Sequence, residues 1–366
     1  MVNKAAISQL AQKISGKVSY PVRIMEVCGT HTMNIARFGI KQLLPPNIKL
    51  ISGPGCPVCV TEESDIDLIQ ELARIAGVTI FTFGDLYRVP GSGGSLEKLN
   101  GEGADVRVTV FPLEAVYYAE QNQAREVVFI GIGFETTAPV AAVMIDLVRK
   151  KRIKNFSVLS FHKRIPPVLM ELVREDNNYI DGFLLPGHVS TVIGTDQYQP
   201  LAKTWSKPGV VTGFEPVDIL EGIYAILEQI SEKSCRIEIQ YKRGVNKEGA
   251  PLATEYINKY FEVCDASWRG LGVISESGLA IRKKFRDFDA FYRFSLGNRI
   301  IKRAPITTCS CGEILRGVKM PCECLLFGSV CKPDNPVGPC MVSSEGSCAA
   351  SYNYPDRYQD SSIMKG

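Results

Sequence analysis

The feature that most constrains the fold is a regular alternation of two kinds of segment from residue 22 onward. Short apolar runs rich in β-branched residues alternate with longer stretches whose apolar residues recur at helical spacing. This alternation is typical of βα units around parallel sheets, so the sequence predicts a doubly wound α/β fold. The predicted strands are VRIMEV, IKLIS, VTIFTF, VRVTVF, EVVFIGI, FSVLSF, DGFLL and GVVTGF. The predicted helices between them are EESDIDLIQELARIAG, PLEAVYYAEQNQA, APVAAVMIDLVRKK, PPVLMELVRED and EPVDILEGIYAILEQI.

A chain of 366 residues is long enough for two or three domains. The eight strands between residues 22 and 235 suit two smaller sheets better than one, and we place the boundary near residues 120–126. After residue 235 the alternation fades into a cysteine-rich region. We therefore predict two Rossmann-like parallel-sheet domains and a C-terminal cysteine-rich domain. The predicted segments are an N-terminal helix packing on the rest (1–21), the first α/β domain (22–123), the second (124–235) and the C-terminal domain (236–366).

Composition and charge argue against two classes of partner. The chain has 42 basic and 39 acidic residues, and the basic residues are scattered, so we expect no nucleic-acid partner. No apolar run approaches the roughly 18 residues that a membrane helix needs. The N-terminal stretch MVNKAAISQLAQKISGKVSY is typical of an amphipathic helix and lacks the apolar region and cleavage site of a secretory signal. These features predict a cytoplasmic protein without membrane contact.

Function-capable side chains recur directly after the predicted strands. Ligands bind outside the carboxyl ends of the strands in parallel α/β sheets, so these positions are the first candidates for a site. His31, His162 and His188, all the histidines of the chain, occupy such positions. A lone histidine is more often structural, but three at strand ends lead us to expect at least one functional histidine. The strand-end stretches are CGTH (28–31), GPGCPVC (53–59), GDLYR (84–88), GFETT (133–137), HK (162–163) and PGH (186–188).

Cys28 follows the first predicted strand and precedes a helix that is expected to start near Thr30 or Thr32. The helix dipole and the free N–H groups of a first turn favour a thiolate at such a position. The alternative is a small buried side chain, the commonest role of a free cysteine. The Gly-Thr-His that follows supplies a turn, a hydroxyl and an imidazole that a core cysteine does not need. The sequence therefore favours a functional Cys28.

Cys56 and Cys59 have the spacing of a redox dithiol and follow a Gly-Pro-Gly turn. Thr61 and the two glutamates after it resemble the start of a helix, although those acids oppose thiolate formation. A structural zinc site needs four ligands, and no second close pair follows within the usual range. The sequence therefore favours a redox pair over zinc, and a plain Gly-Pro corner remains an alternative role for the glycines.

Twelve cysteines are many for a chain in a reducing compartment, where they are more often ligands, nucleophiles or redox thiols than bridges. Seven of them lie between Cys309 and Cys348, interleaved with glycine and proline. Four thiolates on a loop-rich framework hold either an iron-sulfur cluster or tetrahedral zinc, and spacing alone does not separate the two. The tail therefore predicts a metal centre within residues 236–366.

These motifs together resemble the HypD family of hydrogenase maturation factors. The resemblance rests on CGTH (28–31), GPGCPVC (53–59), GFETTAP (133–139), LPGHVS (185–190) and LFGSVCKPDNPVGPCMVSSEGSC (326–348). The motifs occur in the family's order and extend through nearly the whole chain.

The resemblance implies a scaffold on which the Fe(CN)2CO unit of nickel-iron hydrogenases is assembled, acting within a complex rather than as a free-standing enzyme. The implied partners are the small chaperone HypC, the cyanide donor HypE, which carries cyanide as a thiocyanate, and, through the chaperone, the hydrogenase large subunit. By the same resemblance, Cys28 holds the iron together with a cysteine of the chaperone, and His188 lies near that iron.

The resemblance also implies two redox groups. Cys56 and Cys59 form a thiol/disulfide pair in electronic contact with a 4Fe-4S cluster in the C-terminal domain, and together they supply electrons for cyanide transfer to iron. Cys309 and Cys322 are additions to the family pattern. The implied cluster ligands are Cys311, Cys324, Cys331 and Cys340, with Cys348 as the reserve.

Two other functions stay open on the sequence alone. A self-contained thiol-disulfide oxidoreductase would use Cys56 and Cys59, with zinc stabilising the C-terminal region. A purely structural binding module would use no cysteine for chemistry, and the strand-end pattern would then be accidental.

Overall fold

The computed structural model describes residues 4–174, 179–299 and 309–355. Parts of the predicted segments 1–21, 124–235 and 236–366 therefore lie outside the described residues. The strands of the described chain are β1 (Val22–Glu26), β2 (Ile48–Ser52), β3 (Val78–Thr82), β4 (Asp105–Val108), β5 (Glu126–Gly131), β6 (Phe156–Ser160), β7 (Gly182–Pro186), β8 (Gly209–Thr212), β9 (Ile237–Ile239), β10 (Phe261–Trp268) and β11 (Gly272–Ile281).

Two parallel sheets form the centre of the molecule. The first has the strand order β2-β1-β7-β8-β9, and the second has the order β4-β3-β5-β6. The pairings within both sheets are parallel. All eight strands predicted from the sequence are present, and the prediction of an α/β protein with two parallel sheets is confirmed.

The two sheets do not part where the sequence analysis placed the boundary. β3 and β4 pair with β5 and β6 in one sheet, across the predicted limit at residues 120–126. The chain then returns to the first sheet, where β7 pairs with β1 and aligns Ile24 with Gly182. β9 also joins the first sheet, beyond the predicted limit at residue 235. An apolar run buried on both faces suits the centre of either sheet, so the local pattern does not specify its neighbour.

Helices lie between the strands and cover the sheets. They are α1 (Lys4–Ser15), α2 (Gly29–Arg37), α3 (Glu63–Ala73), α4 (Gly84–Tyr87), α5 (Leu96–Gly101), α6 (Leu113–Gln121), α7 (Ala138–Lys151), α8 (Ile165–Arg174), α9 (Gly187–Ile193), α10 (Gln199–Lys203), α11 (Pro216–Ser231), α12 (Pro251–Tyr260), α13 (Ala290–Arg293), α14 (Cys311–Leu315), α15 (Pro339–Val342) and α16 (Ser347–Asn353). The structure describes α8 as far as Arg174, and residues 175–176 of its predicted stretch lie outside the described residues.

Local sequence explains the best-predicted of these helices. α7 has its predicted bounds, with a proline in its first turn and Arg149, Lys150 and Lys151 in its last turn, where cations favour the helix dipole. α1 packs against α11, where Ile14 is fully buried. Among the helices in the described part of the chain, none combines the length and apolarity needed to cross a membrane.

An antiparallel hairpin that the sequence analysis did not predict covers the end of the second sheet. β10 and β11 pair with each other, and a three-residue turn joins them. Trp268 at the end of β10 is fully buried and stacks on Phe134 at a centroid distance of 6.1 Å. The Nζ of Lys163, which follows β6, donates to the carbonyl oxygen of Ser267 at 2.5 Å. The hairpin therefore closes over the carboxyl ends of β5 and β6.

Candidate thiol site at the strand ends

Cys28 lies directly after β1 and is the N-cap residue of α2, in an extended conformation. The N–H of Gly29 donates to the carbonyl oxygen of Gly55 at 3.0 Å, so the Gly-Pro-Gly corner packs on the backbone of Cys28. A Cβ atom on Gly55 would lie 2.5 Å from the carbonyl carbon of Val27 and 2.6 Å from the Cα of Cys28. Only glycine fits this approach, which fixes the corner against the strand end.

Cys56 and Cys59 are joined by a disulfide, with their Cα atoms 5.2 Å apart. Both residues are buried, and the N–H of Cys59 donates to the Sγ of Cys56 at 3.2 Å. The two cysteines of the CPVC stretch are thus bonded to each other, and their redox role stays a prediction. The predicted helix starts at Glu63 with Glu62 as its N-cap, whereas Thr61 donates its hydroxyl to the carbonyl oxygen of Pro57.

The Cys28 thiol is held neutral, contrary to the expectation from its helix position. Burial first, and then the charges of Glu345 and Glu26, raise its pKa to about 12. The N–H groups of Thr30 and His31 in the first turn act in the opposite direction but do not outweigh burial. The raised pKa runs against the expected thiolate, because desolvation is larger than the effect of the helix N-terminus.

A segment of the cysteine-rich tail covers Cys28, which the sequence analysis missed. A Cβ atom on Gly29 would lie 2.5 Å from the Cβ of Glu345, and the hydroxyl of Thr30 donates to the Glu345 carboxylate at 2.6 Å. The hydroxyl of Ser343 donates to Asp85, after β3, at 2.7 Å. Ser343 and Glu345 both belong to the stretch SSEGSC, but its cysteine pattern predicts a metal ligand at Cys348 and no role for the glutamate.

The three histidines have different environments. His31 is fully buried, with Nε2 at 2.9 Å from the carbonyl oxygen of Gly213, and its Nδ1 has no hydrogen-bond partner among the described residues. His188 is exposed at the start of α9 and stacks on Phe214 at 3.9 Å; the same ring lies 5.0 Å from His31. His162 is buried with Nδ1 at 3.0 Å from the Ser160 hydroxyl. This packing places His162 in the interior of the fold.

A buried phenol, that of Tyr198, interacts electrostatically with residues that follow β5 and β1. Glu135, after β5, is buried, and its carboxylate accepts the N–H of Ile165 at 3.0 Å. Burial raises the pKa of Glu135 to about 7. Tyr198 is fully buried, and its pKa is raised by burial first and then by the charges of Glu135 and Cys28. Tyr198 thus lies within electrostatic reach of strand-end residues from both sheets.

The C-terminal cysteines converge on one region. The Sγ atoms of Cys311 and Cys340 lie 2.9 Å apart, and the Sγ of Cys331 accepts the N–H of Val337 at 3.3 Å. Charges on four other thiols raise the pKa of Cys348, after the larger effect of burial; these thiols are Cys309, Cys311, Cys324 and Cys331. The buried members of this group, which we call the cysteine cluster, are Cys311, Cys324, Cys331, Cys340 and Cys348.

Other cysteines stand apart from the cysteine cluster or at its margin. Cys309 is half-buried beside it, while Cys322 and Cys235 are exposed. The Cys235 thiol donates to the carbonyl oxygen of Ser206 at 3.1 Å, and Cys264 lies within the hairpin. Among the described residues, no three His, Cys, Asp or Glu side chains are already arranged to hold a metal ion.

The fold and the site define a class of protein: a parallel α/β protein that brings a buried cysteine, a disulfide and a set of C-terminal thiols to the carboxyl ends of its strands. The sequence model of the HypD family, described as "Hydrogenase formation hypA family", matches residues 5–355. The chain belongs to the HypD family of hydrogenase maturation factors.

Individual relatives match along nearly their whole length. The chain is 44% identical over 348 residues to hydrogenase maturation factor HypD2 of Bradyrhizobium diazoefficiens, covering 93% of this chain and 91% of the relative. It is 43% identical over 361 residues to hydrogenase maturation factor HypD of Escherichia coli, covering 97% and 94%. It is 42% identical over 366 residues to the HypD of Cupriavidus necator, covering 96% of each chain.

Proposed function

We propose that this chain is a scaffold on which the Fe(CN)2CO unit of nickel-iron hydrogenases is assembled. Membership of the HypD family supports hydrogenase maturation as the process. The observation that carries the finer proposal is the backbone contact between Cys28 and the loop that holds the Cys56–Cys59 disulfide. The contact places a thiol that can bind iron next to the loop of a thiol pair that can release two electrons.

In this proposal Cys28 is the ligand that the chain contributes to the iron, which is cargo. Thiolates suit iron that carries cyanide and carbon monoxide. Ligation requires the thiolate, so iron binding releases the Cys28 proton. Cys28 is only 7% exposed, because the segment that contains Glu345 lies over Gly29 and Thr30. A cysteine of the small chaperone HypC can therefore bind the same iron only when this segment moves away.

The cysteine pair supplies the electrons for cyanide transfer. A thiocyanate donor, carried by HypE, delivers cyanide formally as CN+, and its sulfur-carbon bond breaks as two electrons produce iron-bound cyanide. Oxidation of the Cys56 and Cys59 thiols to one disulfide releases these two electrons and two protons. The donor sulfur leaves as a thiolate, so atoms and charges balance.

The cysteine cluster fits a 4Fe-4S group by the chemistry of its donors. Its members are buried thiols on short helices and loops, and two of the sulfurs, those of Cys311 and Cys340, already touch. Such a cluster, when bound, exchanges electrons one at a time and so can restore the dithiol. Cys322 is exposed, which supports its exclusion from the ligand set. The proposed ligands are Cys311, Cys324, Cys331 and Cys340, with Cys348 as the reserve.

His188 is the histidine that we assign to the iron site. Its imidazole is exposed and fixed by stacking on Phe214, so it can reach an incoming iron or partner without a change in the core. His31 is fully buried behind the same ring. The hydrogenase large subunit is the final recipient and is reached through HypC rather than through this chain.

The experiment that tests the proposal is anaerobic copurification with HypC, followed by infrared spectroscopy in the cyanide and carbonyl stretching region. Wild type should show these bands, and Cys28→Ala should lose them. Cys235→Ala is the matched control, since this thiol is exposed and donates to the Ser206 carbonyl oxygen on the side of the molecule away from the proposed site residues. Bands of full intensity in Cys28→Ala would refute Cys28 as the iron ligand.

A second candidate function is favoured by the buried disulfide itself. A self-contained thiol-disulfide oxidoreductase would use Cys56 and Cys59, with zinc on the C-terminal thiols. It predicts turnover of a generic disulfide substrate by the isolated chain and one zinc ion per chain. Iron and sulfide in the purified protein, with no such turnover, would exclude this candidate.

A further inference from the structure

Arg269 occupies the turn between β10 and β11, and it holds the chain directly after the disulfide. Its N–H donates to the carbonyl oxygen of Val60 at 2.9 Å, and its Nε donates to the carbonyl oxygen of Thr61 at 2.8 Å. Val60 follows Cys59 immediately. The arginine therefore clamps the disulfide loop from the side of the hairpin with two hydrogen bonds.

The same turn packs on the start of the cysteine cluster. A Cβ atom on Gly312 would lie 2.6 Å from the Cα of Gly270, and a Cβ atom on Gly270 would meet Gly312 more closely still. Gly270 also has a positive φ of 75°, which glycine adopts without strain. Gly312 directly follows Cys311. The two glycines thus let the hairpin touch the helix that begins at Cys311, one residue from Arg269.

The guanidinium of Arg269 has an unused donor at this junction. Its side chain is 15% exposed, and its Nη1 lies 4.0 Å from the Glu63 carboxylate, at the limit of an ion pair. Its Nη2 is buried without a hydrogen-bond partner among the described residues. A buried charged donor without a partner is unfavourable, so the site is suited to a negative group that the free chain lacks.

The backbone contact between Gly270 and Gly312 places this junction beside Cys311. Thiolates that ligate iron carry the negative charge that Nη2 would meet.

We propose that Arg269 is a positioning residue that couples the disulfide loop to the cysteine cluster: its N–H and Nε hold residues 60 and 61, and its unpaired Nη2 and positive charge serve the ligand thiolates that begin at Cys311. The inference rests on the proposed function, because it assigns to those thiolates a bound 4Fe-4S group. Reduction of the Cys56–Cys59 disulfide breaks the sulfur-sulfur bond and takes up two electrons and two protons. An external one-electron reductant, dithionite, provides both electrons in succession.

The test compares the full-length chain, reconstituted anaerobically with iron and sulfide, as wild type, Arg269→Gln and Arg269→Lys. Two quantities are measured: the midpoint potential of the cluster, by a titration followed by electron paramagnetic resonance, and the rate of disulfide reduction through the cluster, by rapid quenching and thiol alkylation. Loss of the positive charge in Arg269→Gln should make the potential more negative and slow disulfide reduction about tenfold or more. Arg269→Lys keeps the positive charge, so its cluster should have a midpoint potential close to that of wild type.

Arg282→Gln is the matched control: Arg282 directly follows β11 of the same hairpin, donates its Nε to a carbonyl oxygen as Arg269 does, and lies 3.8 Å from the Glu262 carboxylate. It should leave both quantities unchanged. If cluster-loaded Arg269→Gln has the wild-type midpoint potential and the wild-type rate of disulfide reduction, the role of Arg269 is refuted while the proposed function stands. If Arg269→Gln takes up no cluster, Arg269→Lys decides: a potential near that of wild type supports the inference, and a potential clearly more negative than that of wild type overturns it. A wild-type chain that takes up no cluster would refute the proposed cluster and this inference with it.

Discussion

At the scale of single residues, burial decides the charge of the groups at the strand ends. The sequence located Cys28 correctly at a strand end and the start of a helix. It did not predict the raised pKa of the thiol, because the covering residue, Glu345, is far along the chain. A local pattern can predict a helix N-terminus but not what buries it.

Gly55 is the residue that brings the disulfide loop onto Cys28. Gly55→Ala should lower the free energy of unfolding by about 1–3 kcal/mol, because the added methyl group would overlap the backbone of residues 27 and 28. Urea unfolding followed by tryptophan fluorescence measures this change. Gly101→Ala is the matched control, since no atom of the described residues lies within 4 Å of a Cβ atom there. Equal stability of the two variants would contradict the close approach.

Glu135 should make stability depend on pH. Burial raises the pKa of this carboxyl from 4.5 to about 7 in the folded chain, so between these values the folded state holds a proton that the unfolded state has lost. The free energy of unfolding should therefore fall as pH rises from 4.5 to 7. Arg164, whose charge lowers the pKa of Glu135, and Tyr198, whose pKa is raised by Glu135, are the groups that interact with it.

Glu135→Gln removes this dependence while its amide oxygen can still accept the N–H of Ile165. We compare the free energy of unfolding of the variant with that of wild type at each pH. This difference should favour the variant more at pH 8 than at pH 5, by up to about 3 kcal/mol. Urea unfolding at the two pH values checks the difference. Glu97→Gln, at an exposed position, should show none. A difference of the same size in both variants would mean that the burial of Glu135 is not its cause.

At the scale of elements, the hairpin β10–β11 links parts of the molecule that are distant in sequence. Its residue Ser267 accepts a hydrogen bond from Lys163, which follows β6. Its Trp268 stacks on residue 134, and its Arg269 donates to the disulfide loop. The sequence did not predict it, because its strands carry charged, serine and glycine residues and bury only part of their side chains. The central parallel strands were easier to predict, since β3 and β5 are buried almost throughout and rich in β-branched and aromatic residues.

Trp268 anchors this hairpin. Trp268→Ala should lower the free energy of unfolding by about 3–5 kcal/mol, because the indole is fully buried against Phe134 and donates to the Ser277 hydroxyl. Val273→Ala is the control on the same hairpin, at a side chain that is 71% exposed, and should change stability by less than about 0.5 kcal/mol. Thermal unfolding of the two variants gives the comparison, and similar melting temperatures would contradict the anchoring role.

At the scale of the whole molecule, the order of the strands brings the thiols together. The first sheet takes β1 and β2 from the start of the chain and β7 to β9 from beyond residue 180. The tail then returns over Gly29 and packs near the strand ends. The sequence predicted that chemistry-bearing residues follow the strands, but the pairing of strands across more than a hundred residues depends on the packed core.

The central claim is that the cysteine pair, held by the glycine corner against Cys28, supplies the electrons for cyanide transfer. The direct test starts from the complex with HypC, with Cys56 and Cys59 reduced, no external reductant and a thiocyanate-carrying donor. Differential alkylation with mass spectrometry counts the disulfide formed, and infrared spectroscopy counts the cyanide on iron. The account predicts one Cys56–Cys59 disulfide for each cyanide transferred. Cyanide bands that grow while both thiols remain open to alkylation would contradict it.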